Sequence, residues 1–321
     1  MTTAQAPCSR CASPLEREDL RCPICNAAAP EGEREDRQQT EIEVLRCEGC
    51  GAAVAYDVRA RAPACAFCGS VMYIEVPEDP PEQIEGYLPF TVSRERAGEA
   101  HRSWLRGLGW FRPSDLHSAS RMESMTPLWW VGWVFDAEAA ATWAADSDAG
   151  ARRADWAPHS GQTDLEFENV IVSASRGLSS SETDRLIPTY DLTSARDRPD
   201  ETVTEAVVEQ FDLPRSTARG RVAAFIRRTV ADRLQQGHIP GRRFRNVNAA
   251  LVLRRLVTRR RAFPSWVLAY RYRGALYRVV ISGQDAGCLV GSAPYSVAKI
   301  VGVVCGGALV LALIVSLILA L

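Results

Sequence analysis

Residues 300–321, IVGVVCGGALVLALIVSLILAL, contain no charge, no proline and one hydroxyl, Ser316. Inside hydrocarbon a lone segment must pair every backbone N–H and C=O within itself, and a helix is the structure that does so. At 1.5 Å rise per residue the run covers roughly 33 Å, enough for a hydrocarbon core of about 30 Å. Lys299 precedes the run and no charged side chain follows it, the pattern of the positive-inside rule. Residues 1–30 show no basic start followed by an apolar run, so no signal peptide is expected. The expectation is a tail-anchored, single-pass protein of the inner or plasma membrane, its body on the cytoplasmic side.

The other end of the chain limits the fold in a different way. Four CxxC pairs lie within residues 8–68: Cys8/Cys11, Cys22/Cys25, Cys47/Cys50 and Cys65/Cys68. A two-residue gap lets both sulfurs of a tight turn face one ion, and two such turns complete a tetrahedral S₄ site. Gly51 and Gly69 follow the last cysteines of the second module, where a left-handed residue is wanted. In the first module Ala12 and Asn26 take those places. The expectation is two structural Zn²⁺ sites, each with four cysteine ligands and no open position for water. Iron of the rubredoxin kind suits the same donors, and disulfides do not suit a cytosolic chain.

The formal net charge of −1 conceals a separation. Residues 214–278 hold 17 arginines against one acid, Asp232, for a net of +16; the first 213 residues carry 20 arginines and 37 acids, a net of −17. Such asymmetry suits an anionic partner. Nucleic acid, anionic lipid beside the anchor, and the chain's own acidic part are all candidates. The sole lysine, Lys299, is followed by Ile300, so a Walker A loop is excluded. The four histidines are scattered, HExxH and GxSxG are absent, and Ser296-Val-Ala-Lys299 abuts the apolar run without companion motifs. No catalytic or cofactor-binding residue is assigned, and a non-enzymatic chain is expected.

The organisation follows as ribbon 1 at residues 1–30, an acidic linker at 31–43, ribbon 2 at 44–76 and a proline-rich acidic linker at 77–86. An α+β domain then occupies 87–291, with a juxtamembrane stretch at 292–299 and the membrane helix at 300–321. Within the domain, strands are expected from Tyr87, over 127–136 with a second through Trp143, over 166–173, and as a closing meander at 249–257, 265–273 and 275–282. Ser93 is expected to cap a helix running to about Arg106, and Ser180 or Ser181 a short helix before Pro188. Residues 200–211 and 214–236 read as helices, the second with Val222, Phe225, Ile226, Val230 and Leu234 as its apolar stripe. The fold class is α+β with a mostly antiparallel sheet.

Several stretches together resemble a bacterial family of TFIIB-type zinc-ribbon membrane proteins. They are Tyr87-Leu-Pro-Phe, Trp110-Phe-Arg-Pro-Ser-Asp115, Leu128 to Asp136, Pro264-Ser-Trp-Val-Leu-Ala-Tyr-Arg-Tyr-Arg-Gly274, Tyr277 to Gln284 and Pro294 to Ile300. Some members carry a replication-restart helicase label, which echoes shared cysteine knuckles; this chain has no helicase motor. Two departures stand out: Cys288 takes the place of a basic residue, and an extra ribbon precedes the usual one. The resemblance implies a membrane-anchored, non-enzymatic adaptor with a protein partner, among them SPFH-like or phage-shock-A-like membrane scaffolds. The alternative is a membrane-tethered nucleic-acid-binding protein using ribbons and arginines. Gly302 and Gly306 form GxxxG, through which a homodimer could pack.

Overall fold

The computed structural model describes residues 7–16, 19, 21–29, 44–48, 53–55, 65, 70–75, 82–149, 156–199, 203 and 206–320. In chain order its strands and α-helices are β1 (Val44–Cys47), β2 (Ala53–Ala55), β3 (Met72–Glu75), β4 (Gly86–Tyr87), α1 (Arg94–Gly107), α2 (Leu116–Ala119), β5 (Arg121–Ser147), β6 (Ala157–Ser173), α3 (Ser180–Leu186), β7 (Val207–Val208), α4 (Arg215–Gly237), β8 (Phe244–Tyr272), β9 (Ala275–Ser282), β10 (Leu289–Gly291) and α5 (Val297–Ala320). A small sheet runs β2-β1-β3 and a large one runs β10-β9-β8-β5-β6, with β4 added to β8 and β7 to β5. The class is α+β and the sheets are mostly antiparallel.

The spine is the antiparallel pair β5 and β8, 27 and 29 residues long, where most strands have about five or six. At about 3.3 Å per residue each is roughly 90 Å of chain. The pairs of strands expected at 127–143 and at 249–273 are therefore each one continuous strand. Neither Arg259-Arg260-Arg261 nor Pro264, which lie between the strands expected at 249–257 and 265–273, interrupts β8. The run Arg259-Arg260-Arg261 stays in the strand because carboxylates from other elements meet it: Asp136 Oδ2 lies 2.5 Å from Arg259, and Glu82 and Glu85 each lie 2.7 Å from Arg260. Pro264 falls where β4 has stopped pairing, at Ala262, and β9 has not begun, at Ser265. A residue without an N–H fits where a strand lacks a second neighbour.

Burial along β5 shows how the spine is clothed. From 127 to 135 every residue is buried; from Ala137 to Ser147 the odd residues are buried and the even ones are not. Over the first stretch both faces are covered. Leu128, Trp130 and Val134 pack with Leu88, Leu178, Leu186, Tyr190 and Phe263 on one side. Beside them on the other, Met125 meets a cluster holding Ala97 and Leu105 of α1, Leu116 of α2 and Trp266, Leu268 and Tyr270 of β8. From Val131 onward α4 covers the odd face, with Ala218, Val222, Ile226, Val230 and Leu234 in one cluster with Val131, Trp133, Phe135 and Trp143 of β5 and Phe167 of β6. These helix residues follow strict i+4 spacing. Phe225, expected among them, lies about 60° around the helix from Val222 and is 41% exposed.

Helix ends follow their caps. Ser93 accepts a hydrogen bond from Arg96 N and starts α1. Ser179, one residue before the expected cap, forms a capping box with Glu182 and starts α3. The Arg273-Gly274 turn between β8 and β9 has both residues at positive φ, +48° and +86°, as a two-residue hairpin requires. The expected helix at 200–211 is corrected: Val207 and Val208 form β7, parallel to Leu128 and Trp129. Its β-branched residues join the sheet edge, and Glu209 N donates to Trp129 O at 2.9 Å. Residues 200–202 and 204–205 lie outside the described residues.

The helix α5 contains one window, Val297–Ser316, long and apolar enough to cross a membrane, and none of it is buried against the body.

Candidate metal centre

The first cysteine module contains two turns of the same construction. In the first, Cys8 N donates to Ser13 O at 2.9 Å and Ala12 N to Cys8 O at 2.8 Å; in the second, Cys22 N donates to Ala27 O at 2.8 Å and Asn26 N to Cys22 O at 3.0 Å. Ala12 and Asn26 both adopt left-handed backbone, at φ +56° and +57°. These are the positions where glycine is usual, and Asn is among the residues that tolerate it. An isolated bridge between Arg21 and Ala28 closes the second turn.

The two turns bring four sulfurs together. Cys8, Cys11, Cys22 and Cys25 place their Sγ atoms within 4.8 Å of one another. The Cys8–Cys25 and Cys11–Cys22 separations are both 3.6 Å. A disulfide would need about 2.05 Å, so these are not bonded pairs. A tetrahedron with metal–sulfur bonds of about 2.3 Å has edges of about 3.8 Å, and the observed spacing fits it. Backbone N–H groups of Arg10 and Cys11 lower the pKa of Cys8, and the Ser13 hydroxyl, first among its hydrogen bonds, brings Cys11 to about 6. Burial first, and then its hydrogen bonds with the Cys11 and Cys8 thiols, push Cys22 up to about 12. A cation among the sulfurs reverses that penalty, since a ligating thiol is deprotonated outright.

The centre is fastened to the body by residues between the knuckles. Asp19 pairs with Arg219 of α4 at 2.6 Å, and Glu16 pairs with Arg215 at 2.9 Å and Arg219 at 3.1 Å. Glu16 Oε1 also accepts from Thr258 N of β8 at 2.8 Å, and Ser13 Oγ donates to Arg254 O at 2.7 Å. The sequence singled out Cys8, Cys11, Cys22 and Cys25, which the structure brings together, but not Ser13, Glu16 or Asp19. The available signal was three acids, Glu16, Glu18 and Asp19, between cysteine pairs in a chain whose basic block begins at Arg215.

For the second module the described cysteines are Cys47 and Cys65. Both are buried, in the cluster that holds Leu45, Leu88 and Trp130. Cys65 N donates to Ser70 O at 2.8 Å, the same five-residue step seen at Cys8 and Cys22. Arg46 of β1 pairs with Asp212 at 2.9 Å. Cys50 and Cys68 lie outside the described residues. The four histidines stand apart from the cysteine cluster: His101 is buried against Trp104 and Tyr270, and His238 meets Thr163.

The arginine block is largely engaged. Eleven of its 17 arginines, at 215, 219, 243, 245, 254, 255, 259, 260, 271, 273 and 278, lie within 4 Å of a described carboxylate of the first 213 residues. Most of these pairs are exposed and individually weak. Together they set much of the block's charge against acids of the same chain. Glu82 and Glu85, from the acidic stretch before the domain, are among the partners, and Glu85 N donates to Arg260 O at 3.0 Å.

No protein-family model matches the chain, and no solved structure does. The chain is similar to the Uncharacterized protein YdjG of Bacillus subtilis (strain 168), at 23% identity over 234 residues. The aligned part covers 66% of this chain and 64% of that protein. That name carries no activity, so the functional reading rests on the residues.

Proposed function

We propose that this chain is a single-pass membrane protein whose cytosolic body is a non-enzymatic zinc-ribbon adaptor for protein partners. The observation that carries the reading is the cysteine centre fastened by Glu16 and Asp19 against α4 and β8. Cys8, Cys11, Cys22 and Cys25 would hold one Zn²⁺ with every position filled by sulfur, so the ion shapes a surface and offers no site for water or substrate. Cys47, Cys50, Cys65 and Cys68 would hold a second. Iron suits the same donors and is told apart by its visible absorption. The exposed, apolar α5 supports anchoring, and eight thiolates need a reducing compartment, which with Lys299 supports the cytosolic side.

The resemblance to ribbon-bearing membrane proteins supports a membrane scaffold of the SPFH-like or phage-shock-A-like kind as partner. The test is crosslinking in intact membranes, then capture of the full chain. Recovery of the same membrane scaffold from wild type, and its loss from a Cys11→Ser variant, is expected. Partners that vanish on nuclease treatment would favour the second reading, a membrane-tethered nucleic-acid binder. One observation supports that second reading: Arg221, Arg227 and Arg228 lie exposed on α4 and make no ion pair with a described carboxylate. Self-association through Gly302 and Gly306, around which a Cβ meets nothing within 4 Å, is tested by Gly306→Ile in a bilayer association assay, where loss of dimer is expected.

A further inference from the structure

At the foot of α5 the body presents aromatic side chains that the core does not use. The loop of residues 108–115, between α1 and α2, folds against the first turn of α5. Ser296 N donates to Phe111 O at 2.8 Å, and Lys299 Nζ donates to Arg112 O at 2.9 Å. The Arg112 guanidinium sits 3.7 Å over the Tyr295 ring, and the Lys299 ammonium 5.4 Å from the centre of the Trp110 ring. Trp110 and Phe111 meet edge to face at 5.4 Å. Yet Trp110 is 62% exposed, Phe111 45% and Tyr295 62%. Of the eight tryptophans, Trp110 alone is an exposed one.

We infer that this loop is a second membrane contact, with Trp110 and Phe111 seated among lipid headgroups beside the entry point of α5. The inference rests on the reading of α5 as a membrane span, and then follows from position. If the apolar segment enters hydrocarbon after Lys299, the ammonium lies at phosphate level, where such groups snorkel. A ring 5.4 Å from that ammonium is then at the same depth. Tryptophan and tyrosine, part apolar and part polar, concentrate at that boundary in membrane proteins. Arg112 and Lys299 add two cations that favour phosphate. The surface is continuous with the apolar helix, which is why lipid is the occupant and not a soluble partner. Two contacts hold the body in one orientation, where a lone helix with a free tether leaves it to swivel.

The experiment uses the full chain reconstituted in phosphatidylcholine vesicles whose acyl chains are brominated close to the headgroup, alongside unbrominated vesicles. Flotation reads membrane association and tryptophan emission reads proximity. Wild type is expected to float and to lose close to one tryptophan's share of its emission in brominated vesicles. Trp110→Phe, a change at an exposed side chain that leaves the core intact, is expected to float equally and to lose that quenching. Protein that floats but is quenched equally with and without Trp110, or not quenched at all, overturns the inference while leaving the span in place. Protein that does not float overturns the span itself.

Discussion

The fastening of the four-cysteine centre predicts that a residue remote from sulfur sets metal affinity. Arg219→Met keeps the aliphatic stem against α4 but deletes the guanidinium that meets Asp19 at 2.6 Å and Glu16 at 3.1 Å. The Asp19 side chain is only 3% exposed and that of Arg219 14%, so the lost pair is a buried one. Leaving one member of such a pair behind costs about 3–5 kcal/mol. Asp19 retains the hydrogen bond from Glu16 N at 2.9 Å, and Glu16 retains Arg215. A loss of about 2–3 kcal/mol of docking energy is therefore expected. A knuckle this small folds only around its ion, so docking energy adds to apparent metal affinity. At about 1.4 kcal/mol per tenfold, the change is roughly 30- to 140-fold weaker binding. Competition between the full chain and a chromophoric chelator, with Co²⁺ as reporter, measures it as a shift in one of two binding phases. Affinity within twofold of wild type in both phases would refute the coupling between docking and metal.

Two further predictions concern the body. Glu209 is wholly buried; burial, with the Asp212 charge adding to it, pushes its carboxyl up to about 8 even though Oε1 accepts hydrogen bonds from Ser175 Oγ, Arg176 N and Gly177 N, and Oε2 has no partner among the described residues. The folded protein thus holds a proton that the unfolded chain releases near 4.5, so stability falls as pH rises from about 4.5 to about 8 and levels above it. Glu209→Gln, neutral at every pH, should flatten that slope in denaturant titrations run across the range; an unchanged slope would place the titrating group elsewhere. Gly161 lies opposite Trp143 in the β5–β6 register, and a Cβ there would stand 2.8 Å from the indole ring. Gly161→Val should lower stability by about 1–3 kcal/mol, read by chemical unfolding, whereas an unaltered midpoint would mean that the ring moves aside freely.

What the sequence disclosed and what it hid divide along physical lines. The CxxC pairs and the apolar run were legible because their signals are local: two-residue spacing and an uninterrupted lack of charge. The Arg273-Gly274 turn and the cap at Ser93 were local too. The continuity of β5 and β8 was not, since whether Arg259 to Arg261 break a strand depends on where Asp136, Glu82 and Glu85 fall in space. Phe225 and the segment at β7 were misjudged for a related reason. A hydrophobic pattern does not say how wide a stripe its partner covers, nor whether a β-branched stretch finds a sheet edge. The clamp at Ser13, Glu16 and Asp19 joins positions some 200 residues apart in the chain, a separation that no local pattern crosses. The charge separation was visible at once, but which arginines meet which acids was not: eleven of the block's 17 lie beside described carboxylates of the same chain.

The central proposal is a metal-held body fixed to a membrane by α5. The most direct measurement is the zinc-to-protein ratio of the full chain that stays in the membrane pellet after alkaline carbonate extraction. Two zinc ions per chain are predicted, falling to one in Cys11→Ser. A chain released by carbonate, or retained without any metal, would contradict it.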